Sequence, residues 1–98
     1  MKVEAPDEQT ERKYLLWLPG DKLHHEPEEL PRITSWSLFG DDAPLEVEAG
    51  CGTGEFLCAQ AEQRPGTSFV GVDLHVKSLH RAVSQASEQR LNNIMFAR

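Results

Sequence analysis

Apolar positions recur with two different periods in the second half of this chain. Leu45, Val47 and Ala49 alternate with Glu46 and Glu48, which predicts a short strand over Leu45 to Ala49 running into a glycine cluster. Phe56, Leu57 and Ala61 then share one side of a helix predicted from Glu55 to Arg64, stopped by Pro65-Gly66. Ser68-Phe69-Val70-Gly71-Val72 is a mostly apolar run and predicts a second strand. Val76, Leu79, Val83 and Ala86 return at helical spacing and predict a helix ending near Arg90. Asn92-Asn93 makes a turn, and Ile94-Met95-Phe96-Ala97 opens a third strand. Strand–helix–strand–helix–strand with short connections implies right-handed crossovers and a parallel sheet. The fold class is therefore α/β: a Rossmann-like portion of about three strands and two main helices, one mononucleotide-binding half of a doubly wound fold.

The first 43 residues lack this regularity. They hold four of the six prolines (Pro6, Pro19, Pro27 and Pro31), with Pro44 directly after, and their apolar anchors are sparse: Tyr14 to Leu18, then Trp36, Leu38 and Phe39. A short helix over Glu8 to Trp17, stopped by Pro19-Gly20, is the one regular element expected there. His24-His25-Glu26-Pro27-Glu28-Glu29 reads as a solvated loop. The expected organisation is a polar, proline-punctuated, irregular arm over 1–43 and a partial nucleotide-binding domain over 44–98.

Charge sharpens the division. Residues 1–43 carry five Lys/Arg against ten Asp/Glu, and residues 44–98 carry five against six, within a net charge of -6 over 98 residues. So acidic an arm makes direct contact with a phosphate backbone by this segment unexpected, because such contacts need Lys and Arg. The longest apolar run, Tyr14 to Leu18, is five residues, far below the roughly 18 a membrane span needs, so no membrane partner is expected. The acidic start of the chain has no apolar stretch of the signal-peptide kind, and with two cysteines, Cys51 and Cys58, the expectation is a cytoplasmic protein with reduced thiols.

Chemistry concentrates at the first strand end, Glu48-Ala49-Gly50-Cys51-Gly52-Thr53-Gly54. Alternating glycines let the backbone bend sharply and let a ligand approach the main chain, with amides at the next helix start facing that space. A bend of this kind can also bind nothing. The second strand, however, ends at Asp73, nineteen positions after Gly54, and an acid about 20 residues beyond such a bend accepts ribose hydroxyls in doubly wound nucleotide folds. Its other reading is an N-cap for the helix beginning near His75. A dinucleotide fingerprint would require glycine at position 55, where Glu55 stands, and the Gly-Lys-Ser/Thr ending of a P-loop is absent. Carboxylates at 48 and 55 repel phosphate and suit a cation. The ligand that follows is a phosphate-free nucleoside with a positive end, a description S-adenosylmethionine meets. Cys51, Cys58, His75 and His80 match no standard zinc spacing, so no metal is expected.

Glu-x-Gly-x-Gly-x-Gly followed by an acid closing the second strand resembles the first two motifs of class I S-adenosylmethionine-dependent methyltransferases. The strings Trp36-x-x-Phe39-Gly40-x-x-Ala43-Pro44-Leu45-Glu46-Val47-Glu48 and Phe69-Val70-Gly71-Val72-Asp73-Leu74-His75-x-Lys77-Ser78-Leu79 resemble the bacterial tRNA (guanine-N7-)-methyltransferases. The resemblance runs over about residues 36–98. It implies that Glu48 lies beside the methionine end of the cofactor, that Gly50, Cys51 and Gly52 offer backbone contacts, that Asp73 takes the ribose hydroxyls and that Leu74 packs on adenine. Two positions depart from the pattern: Ala49 replaces a larger aliphatic residue, and Asp73 replaces the glutamate commoner among the tRNA enzymes.

The resemblance also implies that the catalytic and substrate-binding residues lie beyond Arg98, with tRNA the substrate of the complete protein. On that expectation this chain binds the cofactor weakly and does not methylate alone, since methyl transfer is largely the positioning of two reactants. The outer edge of the first predicted strand is left open to pairing, including self-association. The alternative expectation is a non-catalytic, degenerate relative acting through protein–protein contacts.

Overall fold

The computed structural model describes residues 5–17 and 34–98. The elements are α1 (Glu8–Tyr14), β1 (Leu15–Leu16), α2 (Ser35–Phe39), β2 (Leu45–Ala49), α3 (Glu55–Gln63), β3 (Ser68–Val72), α4 (Val76–Glu88) and β4 (Ile94–Ala97). All four strands are parallel, in the order β1-β4-β3-β2. The register sets Leu45 against Ser68 and Ala49 against Val72, then Phe69 against Ile94 and Val72 against Ala97.

The three strands and two helices of the second half fall where the periodicity places them, and the sheet is the expected α/β parallel sheet. Central β3 is buried from Ser68 to Gly71, as its apolar run requires of a strand covered on both faces. Along α4 the stripe Leu79, Ala82, Val83 and Ala86 is fully buried. It meets Leu57, Cys58, Ala61, Phe69, Ile94 and Phe96 in one core. Cys58 packs there as a small apolar side chain. Phe56 does not: it is 65% exposed. At about 100° per residue, the stripe Leu57, Cys58 and Ala61 carries the buried face past Phe56, which turns toward the groove beside Val47, Glu48 and Gln60.

The arm is the larger departure. Helix α1 ends at Tyr14, earlier than the expected Trp17, and Leu15–Leu16 leaves it as a strand paired with Phe96 and Ala97. The described part of the arm is thus not irregular. Asp7 caps α1 by accepting from the Thr10 N–H at 2.8 Å. Tyr14 is 2% exposed and donates its hydroxyl to the Leu91 carbonyl at 2.7 Å, which satisfies the phenol while its ring fills the core beside Ala86. A two-residue strand has no period to read, so only the docking of Tyr14 and Leu15 on α4 and β4 reveals it. Trp36, an expected anchor, is 67% exposed. Its helix, α2, is held instead by a Thr34–Ser37 capping box and by the Ser35 hydroxyl on the Ala43 carbonyl at 2.6 Å. Leu18, Pro19-Gly20 and the 24–29 loop lie outside the described residues.

Candidate functional site

In open parallel sheets ligands bind beyond the carboxyl ends of the strands. Here β2 delivers the bend 50–54 to that rim, β3 delivers Asp73 and Leu74, β4 delivers Arg98 and β1 delivers Trp17. Gly50, Gly52 and Gly54 have φ of 71°, 58° and 82°, a left-handed backbone that L-residues adopt only at a cost. Their surroundings differ. A Cβ on Gly50 or Gly52 would meet nothing within 4 Å, whereas one on Gly54 would stand 2.7 Å from Ala82 Cβ. Gly54 lets the bend close on α4; Gly50 and Gly52 leave open space above the main chain.

Four N–H groups of the bend are already engaged. Gly50 and Cys51 both donate to the Val72 carbonyl, at 2.6 and 3.1 Å, Gly52 donates to Asp73 Oδ2 at 2.9 Å, and Gly54 donates to the Cys51 carbonyl at 3.2 Å. A phosphate cradle needs such donors free and aimed at the ligand. The expected opening of amides toward the ligand therefore does not hold for these four residues. What they keep for a neighbour is their carbonyls and close approach to Cα, a surface suited to a cation. Glu55 follows the bend, exposed, with its carboxylate accepting from the Thr53 hydroxyl, and this hydrogen bond holds it below the usual glutamate range.

Asp73 is fixed by both ends of its surroundings. Oδ1 accepts from the His75 N–H and Oδ2 from the Gly52 N–H, each at 2.9 Å. These bonds, His75 first, hold its carboxyl below the ordinary aspartate value. Asp73 is not the N-cap of α4: that position is His75, with no side-chain cap bond, and Asp73 instead makes an Asx turn by accepting from the N–H two residues on. A carboxylate has about four lone-pair sites, so two bonds leave room for two hydroxyl donors.

Glu48, at the end of β2, is half-buried and makes no hydrogen bond or ion pair with the described residues. Cys51 lies between the two acids. Burial pushes its thiol up to about 11, and the charges of Asp73 and then Glu48 push the same way, so both carboxylates act on the bend. Leu74 is 81% exposed beside Asp73. The structure therefore brings Glu48, Gly50, Cys51, Gly52, Asp73 and Leu74 to one rim. The other candidate chemistry is scattered: Cys58 is buried in α3, and His75 Nδ1 lies 2.7 Å from Ser78 Oγ. Among the described residues no three His, Cys, Asp or Glu side chains are grouped to hold a metal.

Sequence reasoning missed Trp17 and Arg98 at this rim. Their signal is the pairing of Leu16 with Ala97, invisible in a two-residue strand. A cleft of about 710 Å³ lies at the opposite rim between residues 41–43 and 90–93. Its size does not make it the site: the Asn93 amide that lines it is spent on holding the fold.

Residues 42–98 match the model of a family described as "Putative methyltransferase". The chain is 53% identical over 96 residues to the tRNA (guanine-N(7)-)-methyltransferase of Rubrobacter xylanophilus, covering 98% of this chain and 43% of that protein. It is 46% identical over 94 residues to the enzyme of the same name from Chloroflexus aurantiacus, covering 96% of this chain and 42% of that one. The chain spans a little over two fifths of the length of these curated relatives. In structure, 68% of the chain resembles 16% of PKMT2 from Rickettsia typhi, with a TM-score of 0.52 and 26% identity.

Proposed function

The chain belongs to this methyltransferase family, and from that premise we propose that it is the S-adenosylmethionine-binding part of a cytoplasmic tRNA (guanine-N7-)-methyltransferase. The observation that carries the reading is the bond between Asp73 and the Gly52 N–H under the open space above Gly50 and Gly52. One carboxylate both ties the bend to the end of β3 and keeps acceptor capacity for a vicinal diol. Glu48 takes the ammonium at the methionine end, Leu74 packs against adenine, and Gly50, Cys51 and Gly52 let the ligand lie on the main chain. The bound cofactor supplies an electrophilic methyl group. This chain's residues hold and orient its nucleoside and amino ends, and such positioning is a large share of a two-reactant transfer. The methyl acceptor, guanine in tRNA, is proposed from the names of the relatives.

Calorimetric titration tests the site. S-adenosylhomocysteine binds and NAD does not, and Asp73→Ala weakens the first by about thirtyfold or more, the worth of hydrogen bonds to a charged group. Failure of S-adenosylhomocysteine to bind, or indifference to Asp73→Ala, would sink the reading.

A second reading, a non-catalytic module that associates with itself, rests on the outer edge of β2. Among the described residues no strand pairs there, and Val47 is 56% exposed; unpaired edges invite pairing. Sedimentation showing a monomer at high concentration would remove it.

A further inference from the structure

Strand order lines up the rim as bend, Asp73–Leu74, Arg98, Trp17. Arg98 joins three of its elements. Its backbone N–H donates to the Leu16 carbonyl at 3.0 Å, its Nε–H donates to the Leu74 carbonyl at 3.2 Å, and its guanidinium lies 5.5 Å from the centre of the Trp17 ring. Trp17 is fixed from its other side, the indole N–H donating to the Glu11 carboxylate at 3.0 Å. A continuous line of contacts thus runs from α1 through Trp17 and Arg98 to the peptide that follows Asp73.

Trp17 is 44% exposed and Leu74 81% exposed, so neither is placed there to fill the core. Two strand spacings, about 10 Å, separate β1 from β3, and the line covers the side of Asp73 away from Glu48 and the bend. A nucleoside held at its ribose by Asp73, with its charged end at Glu48, must send its base that way. We propose that Trp17 and Arg98 are positioning residues for the nucleobase: the stacked indole and guanidinium brace the Leu74 carbonyl and hold Leu74 against the base. The proposal rests on the nucleoside reading of Asp73 given above. It brings the arm into the binding site.

The test compares S-adenosylhomocysteine with S-ribosylhomocysteine, the same ligand without its base. Trp17→Ala and Arg98→Ala each weaken S-adenosylhomocysteine about three- to tenfold, the scale of an exposed cation–π contact with a charge-assisted hydrogen bond. S-ribosylhomocysteine affinity changes less than twofold. Trp17→Phe, which keeps a ring under the guanidinium, recovers most of the loss and guards against a folding artefact. Equal loss for both ligands, or no loss for either, overturns the positioning role while leaving the site intact. Asp73→Ala separates the two claims by weakening both ligands. Wild-type chain that binds neither, or Asp73→Ala without effect on either, removes the nucleoside reading and this proposal with it. If Trp17→Ala lowers affinity for single-stranded RNA and leaves S-adenosylhomocysteine untouched, the indole serves a nucleic acid and the proposal is wrong.

Discussion

At the N-terminal ends of the strands, the Asn93 side-chain amide donates to the carbonyls of Ala61 at 2.9 Å, Arg64 at 3.2 Å and Thr67 at 2.9 Å, and its backbone carbonyl accepts from Phe69 N–H at 2.8 Å. At the C-terminal ends, Glu48 is half-buried with no described partner, Asp73 keeps spare acceptor sites, and two glycines face empty space. At the first rim the Asn93 amide is spent on the fold, and at the second Glu48 and part of the Asp73 carboxylate are not. Left-handed backbone does not divide along this line: Gly50, Gly52 and Gly54 adopt it at the second rim, Gly40 and Arg90 at the first. Unspent acceptors beside open main chain at the second rim are what the proposed ligand site rests on.

The sharpest way to break this contrast lies inside the glycine motif. Gly54→Ala should cost about 3 kcal/mol or more, combining a left-handed alanine with overpacking against Ala82. A chemical denaturation midpoint equal to wild type would show that the bend is not closed on α4 in this way. Cys51 should be a sluggish nucleophile. With its thiol raised from 9.0 to about 11, the thiolate at pH 8 is about a hundredfold scarcer than for an unperturbed cysteine, and alkylation slows in proportion. Because the folded value lies above the unfolded one, the stability linked to this thiol is intact below about pH 9 and is lost as pH rises toward 11. Iodoacetamide labelling at the rate of free cysteine would contradict the partial burial of Cys51.

Asn93→Ala leaves carbonyls without their donor and should destabilise by about 2 kcal/mol, with S-adenosylhomocysteine affinity within twofold of wild type. A large affinity loss in that variant would erase the separation of the two rims. Gly52→Ala is the mirror experiment: about 1 kcal/mol of stability from the left-handed backbone alone, but a tenfold or greater loss of binding because the methyl occupies the open space. The smallest effect concerns Asp73. Its carboxyl is depressed in the folded protein, so its contribution is present above the ordinary carboxylate range and fades as pH falls through the lowered value. Asp73→Asn should flatten that acid limb slightly, as read from thermal melts between pH 2 and pH 6.

Much of the site was legible from residue types and spacing. The alternation 45–49, the helical stripes and the placement of Gly50 to Gly54 and Asp73 at consecutive strand ends all follow from local periods, and the sheet forms where they predict. Phe56 departs from its expected face because a helix face has a margin of about one residue, and packing buries Leu57, Cys58 and Ala61 while leaving Phe56 exposed. The use of the bend's N–H groups was not legible, because donor direction depends on where the Val72 carbonyl and the Asp73 side chain come to lie.

Sequence alone determined the α/β order, the glycine bend and the acid nineteen residues beyond it, since each is a local pattern that a parallel sheet converts into a known place. Tertiary structure decided which glycines are packed and which are open, that Tyr14 and Leu15 belong to the core, and that Trp17 and Arg98 share the rim with Asp73. Those outcomes depend on contacts between residues as far apart as Leu16 and Ala97. No local period encodes such a pairing; it is settled only when the chain closes and buried groups must find their partners.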